Sequence, residues 1–554
     1  MTPARRVLIV GGVAGGASCA ARLRRLDESL EIVVFDRGPY VSFANCGLPY
    51  YVGNVIQDES KLLVASPQLF QDRFNIDVRT FHNVLAIDRA RQSITVENLQ
   101  TGAVTTEPYD ILVLSPGAAP VRPPLPGLDL PGVFSLRTIP DSRQIRDWLE
   151  TRAVTRACVI GGGFIGLEMA ENLAHRGLAV SLVEAAPQVM PPLDAEMAAY
   201  VERHLRDRGV DLHLDDPLAR VEQHDGQLRV HTRSGASIDA GIVILAIGVR
   251  PESDLAREAG LELGERTGIR VDAQMRTSDP HIYAVGDAVE MTDALTGEPA
   301  FVPLAGPANR QGRIAADAIC GREVRFRGVQ GTAVCGVFGL TVAMTGCTEK
   351  ALQRLGRHDY EAIYLHPGHH VAYYPGAKPI HLKLICERPT GRVLGAQAAG
   401  PEGVERRIDV IAMAIQMGAS VFDLEEAELC YAPQYGAAKD PVNIAGMIAA
   451  NALRGDTVLA SWTAAPDDAL YLDVRDPAEY ERGHLPGAIN IPLNQLRHRH
   501  AELPRGREIR VNCGVGQRSY YAVRFLRQQG YDARNLSGGI NTYQAFQAVK
   551  PANS

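Results

Sequence analysis

The stretch Ser42-Phe43-Ala44-Asn45-Cys46-Gly47-Leu48-Pro49-Tyr50-Tyr51 puts one cysteine ten residues after Asp36, the acidic end of a strand-like run. A lone thiol cannot close a disulfide within its own loop. Its oxidised form needs an outside partner: a bound small thiol, a persulfide sulfur, or oxygen as sulfenic acid. A second thiol, Cys513, follows the strand-like run 509–512 and opens the loop Cys513-Gly514-Val515-Gly516-Gln517-Arg518-Ser519 ahead of a helix. Backbone N–H groups of such a loop, a helix N-terminus and Arg518 together make a concavity for anions, which lowers a thiol pKa and stabilises a persulfide. An isolated cysteine is by default a small buried apolar side chain. The glycine turns around Cys46 favour redox chemistry instead.

Those turns belong to two similar units. Residues 7–10 read as a strand, Gly11-Gly12-Val13-Ala14-Gly15-Gly16 as a turn, and 17–26 as a helix. A second strand at 31–35 ends at Asp36, placed to accept a ribose hydroxyl, and Arg37 joins it as a cofactor-binding candidate. Glycine lets the backbone approach a pyrophosphate and the helix N-terminus stabilises its charge. Gly11 and Gly16 hold the outer positions of the fingerprint, while Val13 stands where its middle glycine belongs. The second copy is complete: strand 158–160, then Gly161-Gly162-Gly163-Phe164-Ile165-Gly166, with a strand at 180–183 ending at Glu184. A carboxylate there, with no arginine directly after it, predicts NADH rather than NADPH. The strand 111–114 leads to Ser115 and Gly117 near the first site, and 242–247 leads to Gly248 near the second. Two dinucleotides follow from two units, and the candidates are Gly11, Gly12, Ala14, Gly15, Gly16, Gly161, Gly163, Ile165, Gly166 and the residues named beside them.

With 554 residues the chain exceeds one core, and three to four domains are expected. Its formal charge of -7, without a basic run, argues against nucleic acid. No stretch reaches the apolar length of a membrane span, and residues 1–6 lead into a strand rather than a signal peptide. Nine cysteines without paired or metal-type spacing fit a reducing cytoplasm and no metal site. Strands at 340–344 and 380–385 precede a helix at 407–416, and a polar connector at 454–468 separates the last segment.

In Thr277-Ser278-Asp279-Pro280-His281-Ile282-Tyr283-Ala284-Val285-Gly286-Asp287-Ala288 a buried strand ends in Gly286-Asp287 ahead of a new helix. This resembles the second flavin motif of the pyridine nucleotide-disulfide reductases, and the resemblance implies that Asp287 holds the ribityl chain of FAD. A helix N-cap role for Asp287 is compatible with that. Those reductases carry two cysteines separated by four residues where this chain has Cys46 alone. Leu472-Asp473-Val474-Arg475-Asp476-Pro477-Ala478-Glu479-Tyr480, residues 483–492 and the Cys513 loop look like a rhodanese domain.

Taken together, the chain resembles the coenzyme A-disulfide reductase/rhodanese fusions, which include NADH-dependent persulfide reductases. The resemblance implies an α/β fold: two Rossmann-like dinucleotide-binding domains, an α+β dimerisation domain and a C-terminal rhodanese domain. The expected ranges are 1–119 and 251–328 for FAD, 120–250 for NAD, 329–453 for the dimer interface and 462–554 for rhodanese. It implies FAD, NADH and coenzyme A as cofactors, a homodimer, and reduction of coenzyme A persulfide, polysulfide or coenzyme A disulfide through Cys46, with Cys513 carrying sulfur. Ser18, Ser42 and Asn45 match ligand contacts, as do Arg22 and Arg25, three apart on one helix. Phe74 stands where relatives place a lysine and Asn309 where some place a histidine. Tyr431-Ala432-Pro433-Gln434-Tyr435-Gly436-Ala437-Ala438-Lys439-Asp440 resembles the segment that reaches the partner subunit's active site, which implies Tyr431 near flavin and thiol and Lys439 at a ligand phosphate. Tyr373 matches the second active-site tyrosine, with Tyr374 left open by spacing. Three rivals remain: a plain coenzyme A-disulfide reductase, an NADH oxidase or peroxidase cycling Cys46 through sulfenic acid, and a redox-sensing scaffold without turnover.

Overall fold

The computed structural model describes residues 5–466 and 468–549. The chain divides into two compact units, residues 1–185 with 216–329, and residues 186–215 with 330–554.

The first unit holds two parallel sheets. In one, the strands run Ile282–Ala284, Ile111–Leu114, Arg6–Val10, Glu31–Phe35, Asp77–Arg79. Both faces of this sheet are covered: Val7, Ile9 and Val113 pack into one core, and Leu8, Val10 and Leu112 into another. A near-continuous apolar run suits a strand buried on both sides. The helix Ala14–Leu26 buries Ala17, Cys19, Ala20 and Leu23 and packs along the helix Ala305–Ile319. Their approach is close enough that a Cβ on Gly312 would meet the Gly15 carbonyl at 2.3 Å. In the second sheet the parallel strands Ala179–Val183, Arg156–Ile160, Ile242–Leu245 and Val133–Ser135 follow one another in that order.

One local expectation fails. The strand Ile282–Ala284 does reach Gly286-Asp287, but a single 3-10 turn, Gly286–Ala288, follows and runs straight into the strand Val289–Thr292. Asp287 therefore caps no α-helix, and no side-chain cap bond forms there. Residues 289–292 are Val-Glu-Met-Thr, β-branched at both ends, and the strand takes Pro299–Ala300 as an antiparallel partner.

The second unit carries an antiparallel sheet in the order Ala333–Val337, Leu340–Gly346, Val393–Gly400, His381–Glu387, Tyr360–Leu365, with the helix Val404–Gln416 packed on it. It also carries a parallel sheet in the order Leu459–Ala460, Asp532–Leu536, Glu508–Asn512, Leu470–Asp473, Ile489–Asn490. The helix Gln517–Gln528 starts directly beyond the Cys513 loop and buries Ser519, Ala522, Val523 and Leu526.

Candidate active site

Cys46 lies in the 3-10 turn Asn45–Gly47, just before the short helix Leu48–Val52. The stretch is tied down at both sides: the Ser42 N–H donates to the Gly12 carbonyl at 2.8 Å, and the Ala44 N–H to the Leu62 carbonyl at 2.8 Å. Ser42 adopts φ +48°, a left-handed conformation uncommon for serine, so the turn rather than side-chain preference dictates the path. Cys46 is exposed, and among the described residues Cys430 is the other exposed cysteine. Burial of its surroundings pushes the Cys46 thiol up; the Glu168 and Asp287 carboxylates add to this, while its own backbone N–H and Arg137 oppose it. Asn45 Nδ2 reaches the Arg137 carbonyl at 3.5 Å, and Arg137 Nη2 pairs with Asp287 Oδ2 at 2.9 Å.

Glu168 has no role in the sequence reading. It sits on the helix Phe164–His175, two residues past Gly166, and Tyr50 Oη lies 3.4 Å from its Oε1. Burial pushes its carboxyl up to about 7. An acid in an otherwise apolar helix start, Phe-Ile-Gly-Leu-Glu-Met-Ala, is the signal that could have singled it out.

Both glycine turns form. Gly11 takes φ +92°, and a Cβ on it would stand 2.0 Å from the Ser115 carbonyl oxygen, so only glycine fits. Val13, at the middle position, has φ -98° and ψ -133°, outside the usual extended and helical regions, and the turn forms there without the fingerprint's glycine. Asp36 Oδ2 accepts from the Gly12 N–H at 2.9 Å, and Glu184 Oε2 from the Gly162 N–H at 2.6 Å. Burial pushes the Asp36 carboxyl up against the opposing Gly12 and Gly38 N–H groups. Arg37 pairs with Glu252 at 2.5 Å, and the Glu252 N–H donates to the Gly117 carbonyl at 3.0 Å. Ile165 lies in the first turn of the second helix, and Gly248 (φ +106°) has nothing within 4 Å of a hypothetical Cβ.

On the first helix the predicted contacts divide. Ser18 hydrogen-bonds Asn309 of the neighbouring helix. Arg22 pairs with Asp317 at 2.8 Å, whereas Arg25 is exposed. Arg24, between them, is buried and donates to the Phe74 and Asn75 carbonyls. Phe74 itself packs against Phe70 at 6.2 Å between ring centroids.

In the second unit Tyr373 Oη and Tyr431 Oη are 2.8 Å apart. Tyr374 instead turns its ring edge to His370, which assigns the phenol pair to Tyr373. Lys439 is exposed, one residue before Asp440, which caps the helix Pro441–Leu453 and binds Arg406 and Arg407. Cys513 is fully buried. Its Sγ receives the Gly516 N–H at 3.2 Å and the Ser519 hydroxyl at 3.4 Å. Arg518, expected beside this loop, gives its guanidinium to both oxygens of Glu479, each at 2.7 Å. A planar fork meeting a carboxylate bidentately is the stronger contact, and the Arg518 charge is shared between Glu479 and the loop. Among the described residues one set of acids has metal-like spacing, Asp194, Glu196 and Glu349, but the buried Lys383 Nζ fills it at 2.7, 2.5 and 2.5 Å.

Residues 5–310 match the model of the pyridine nucleotide-disulphide oxidoreductases, and residues 332–440 that of their dimerisation domain. The chain belongs to the pyridine nucleotide-disulphide oxidoreductase family. Residues 459–546 match the rhodanese-like domain. Coenzyme A disulfide reductase of Staphylococcus epidermidis is 36% identical over 442 residues, covering 80% of this chain and 99% of that protein. The crystal structure of reduced Bacillus anthracis CoADR-RHD superposes with a TM-score of 0.96 at 46% identity, over 98% of both chains. The NAD-dependent persulfide reductase from A. fulgidus superposes with a TM-score of 0.91 at 38% identity, over 97% of this chain and 100% of that one.

As a family oxidoreductase the protein uses FAD and NAD(P)H. Its residues fit them. The helices Ala14–Leu26 and Phe164–His175 begin directly behind the two glycine turns, with no side chain capping their amides. Unclaimed N-terminal amides are what a pyrophosphate requires. A Cβ on Gly163 would point into open space at the same place. No helix among the described residues is long and apolar enough to cross a membrane.

Proposed function

We propose that the protein is an NADH-dependent persulfide and coenzyme A-disulfide reductase, in which Cys46 is the redox thiol and Cys513 carries sulfane sulfur. The observation that carries this is the exposed Cys46, tied through Ser42 to the first glycine turn and with no second cysteine in its own loop. Full-length likeness to a persulfide reductase and to CoADR-RHD supports it, rhodanese segment included. The assigned segments are 1–119 and 251–328 for FAD, 120–250 for NAD, 329–453 for the interface and 462–554 for rhodanese; residues 1–4, 467 and 550–554 lie outside those described.

The Cys46 thiolate attacks a disulfide or persulfide R–S–S–R′. The S–S bond breaks, R′–S⁻ leaves with the bonding pair and takes up a proton, and Cys46 remains as Cys46–S–S–R. When bound, FAD supplies the route by which the electron pair of NADH cleaves that bond, restoring the Cys46 thiolate and releasing R–S⁻. Where R′ is hydrogen, the product of the first step is sulfide. Gly11, Gly12, Ala14, Gly15, Gly16, Asp36, Arg37, Ser115, Gly117, Gly286 and Asp287 hold FAD. Gly161, Gly163, Ile165, Gly166, Glu184 and Gly248 hold the nicotinamide dinucleotide, with Glu184 selecting NADH. Ser18, Arg22, Arg25, Ser42, Asn45 and Lys439 face coenzyme A. The Tyr373 and Tyr431 phenols donate hydrogen bonds to the thiolates that form. Cys513, with Arg518 beside it, accepts sulfur from a donor and passes it to a thiol. Exposed Met413, Met417, Tyr373 and Tyr435 in the segment matching a dimerisation domain favour a homodimer, and nine cysteines scattered without paired spacing favour the cytoplasm.

A second reading, coenzyme A-disulfide reduction with the rhodanese as an accessory, is favoured by relatives of that name that cover 80% of the chain. The test assays Cys46→Ser and Cys513→Ser separately for NADH-dependent sulfide release from polysulfide and from coenzyme A persulfide. Cys46→Ser should be inactive on both. Cys513→Ser should keep coenzyme A persulfide and lose larger donors. Retained turnover in Cys46→Ser would end the proposal, and a Cys513→Ser enzyme unchanged on every donor would leave only the second reading.

A further inference from the structure

The hydrogen-bonded phenols of Tyr373 and Tyr431 sit on separate loops, 367–379 and 431–440, and both side chains are exposed. One hydrogen bond between exposed side chains returns little more than the freedom it removes, so the pair does not hold itself in place. The loops are joined beneath it. The Val371 N–H donates to the Gly436 carbonyl at 3.0 Å, a single backbone bond from one loop to the other.

Beside that bond lies Arg407, on the helix Val404–Gln416 and only 1% exposed. Every nitrogen of its guanidinium is engaged. Nε reaches Asp440 Oδ1 at 3.3 Å and Nη1 the Gly403 carbonyl at 3.1 Å. Nη2 donates both to the His369 carbonyl at 2.7 Å and to Asp440 Oδ2 at 2.9 Å. His369 belongs to the Tyr373 loop and Asp440 closes the Tyr431 loop, so one nitrogen ties the two together. Gly403, at φ +70°, leaves room for this, since a Cβ there would clash with Nη1. Each anchor is itself fixed. The His369 N–H donates to the Lys378 carbonyl at 2.8 Å, and the Lys378 N–H to His369 Nδ1 at 2.9 Å, closing the base of the Tyr373 loop. Asp440 accepts from the Val442 N–H at 3.1 Å and from Arg406 at 2.8 Å. Arg406 thus shares the carboxylate, but among the described residues it makes no bond to the Tyr373 loop.

We infer that Arg407 is a positioning residue for the reduction: by holding His369 and Asp440 on one guanidinium it sets the Tyr373 and Tyr431 phenols as a single pair. The inference rests on those phenols serving the thiolates that form at Cys46, but the tie between the loops is readable without turnover. A planar fork fixes a carboxylate and a carbonyl in set directions, which an ammonium on a flexible stem does not reproduce.

Hydrogen exchange of the flavin-loaded, full-length protein, read by mass spectrometry over 367–379 and 431–440, measures that tie. Arg407→Lys keeps a cation beside Asp440. It should quicken exchange in 367–379 roughly 10- to 100-fold, as loss of a hydrogen bond to a charged group does, and change 431–440 less. Arg406→Met should leave 367–379 as in wild type. In coenzyme A disulfide turnover, Arg407→Lys should lower kcat about tenfold, the loss of one such bond, with the KM for NADH and the rate of flavin reduction by NADH unchanged. In a Tyr373→Phe background it should slow turnover no further, because both substitutions then act through the same pair. Unchanged exchange in 367–379, equal effects of Arg406→Met and Arg407→Lys, or a full further loss of kcat in the Tyr373→Phe background overturns the inference. If Tyr373→Phe and Tyr431→Phe both keep wild-type turnover while Arg407→Lys loosens 367–379, the phenols' part in the proposed reaction falls, and with it that of Arg407, while the tie between the loops stands.

Discussion

Replacing Lys383 by methionine would expose what holds the segment 186–215 to the antiparallel sheet of the second unit. The Lys383 ammonium is fully buried and sits 2.7 Å from Asp194, 2.5 Å from Glu196 and 2.5 Å from Glu349. Tyr364 Oη is shared between Glu196 and Glu349 at 2.9 and 3.1 Å, and Gln397 Nε2 donates to Asp194 at 2.6 Å. Burial disfavours the charged ammonium, but Tyr364, Glu196, Asp194 and Glu349 outweigh it and hold its pKa well above that of a free lysine. Burial likewise pushes the Asp194 carboxyl up, yet Lys383 and Gln397 bring it below the usual range. Breaking a buried pair by removing one partner costs about 3–5 kcal/mol, so amide exchange in the strand His381–Glu387 should quicken roughly 150- to 5,000-fold at pH 8. The sign with pH is fixed. Without the ammonium, the carboxyl groups take protons more readily folded than unfolded, so the deficit shrinks as pH falls toward 5. The three acids, whose ligand atoms lie within 4.8 Å of one another, then form a cation site. Calcium at about 100 times its Kd would return about 2.7 kcal/mol to the variant and nothing to the wild type, where the ammonium holds the place. Normal protection in Lys383→Met at pH 8, or equal calcium stabilisation of both proteins, would refute the reasoning.

Two further outcomes follow from titrating groups. Because Glu168 titrates near 7 and its carboxylate raises the Cys46 thiol, Glu168→Gln should increase Cys46 alkylation by iodoacetamide at pH 7.5 about two- to tenfold; an unchanged or slower rate would mean that the two groups are not coupled. The buried pair His366 and His381, with Nδ1 atoms 2.9 Å apart and Thr542 on the other side of His366, is pulled down by burial to about 3 and about 4, with Arg203 adding to the effect on His381. Between these values and about 6.5 the unfolded chain binds more protons, so stability rises with pH, and one such histidine costs about 2 kcal/mol at pH 5 relative to neutral. Amide protection factors, exchange corrected for its intrinsic pH dependence, should fall in the helix Gly539–Val549 at pH 5, and His366→Asn should flatten that dependence; a wild-type helix equally protected at both pH values would exclude it.

The glycine turns were legible because their chemistry is local. Gly11 and Gly166 leave no room for a Cβ against the Ser115 and Gly161 carbonyl oxygens, and that requirement is written residue by residue. The lone Cys46 and the Cys513 loop were legible for the same reason, each lying in a contiguous motif. Val13 shows the limit of a pattern match: the turn forms without the fingerprint's middle glycine, with Val13 at φ -98° and ψ -133°.

What only the tertiary structure decided are the pairings between charges remote in the chain. Arg22 and Arg25 share a helix, but Asp317 claims one of them; Arg518 follows Cys513 by five residues, but Glu479, 39 residues earlier, fixes where its charge points. Glu168 draws its role from the desolvated space beside Cys46, and Lys383 from three carboxylates contributed by two separate segments. A sequence states which groups exist and which turns they can make. A charged group's energy depends on its burial and on its neighbours in space, and those are set only when distant segments pack together.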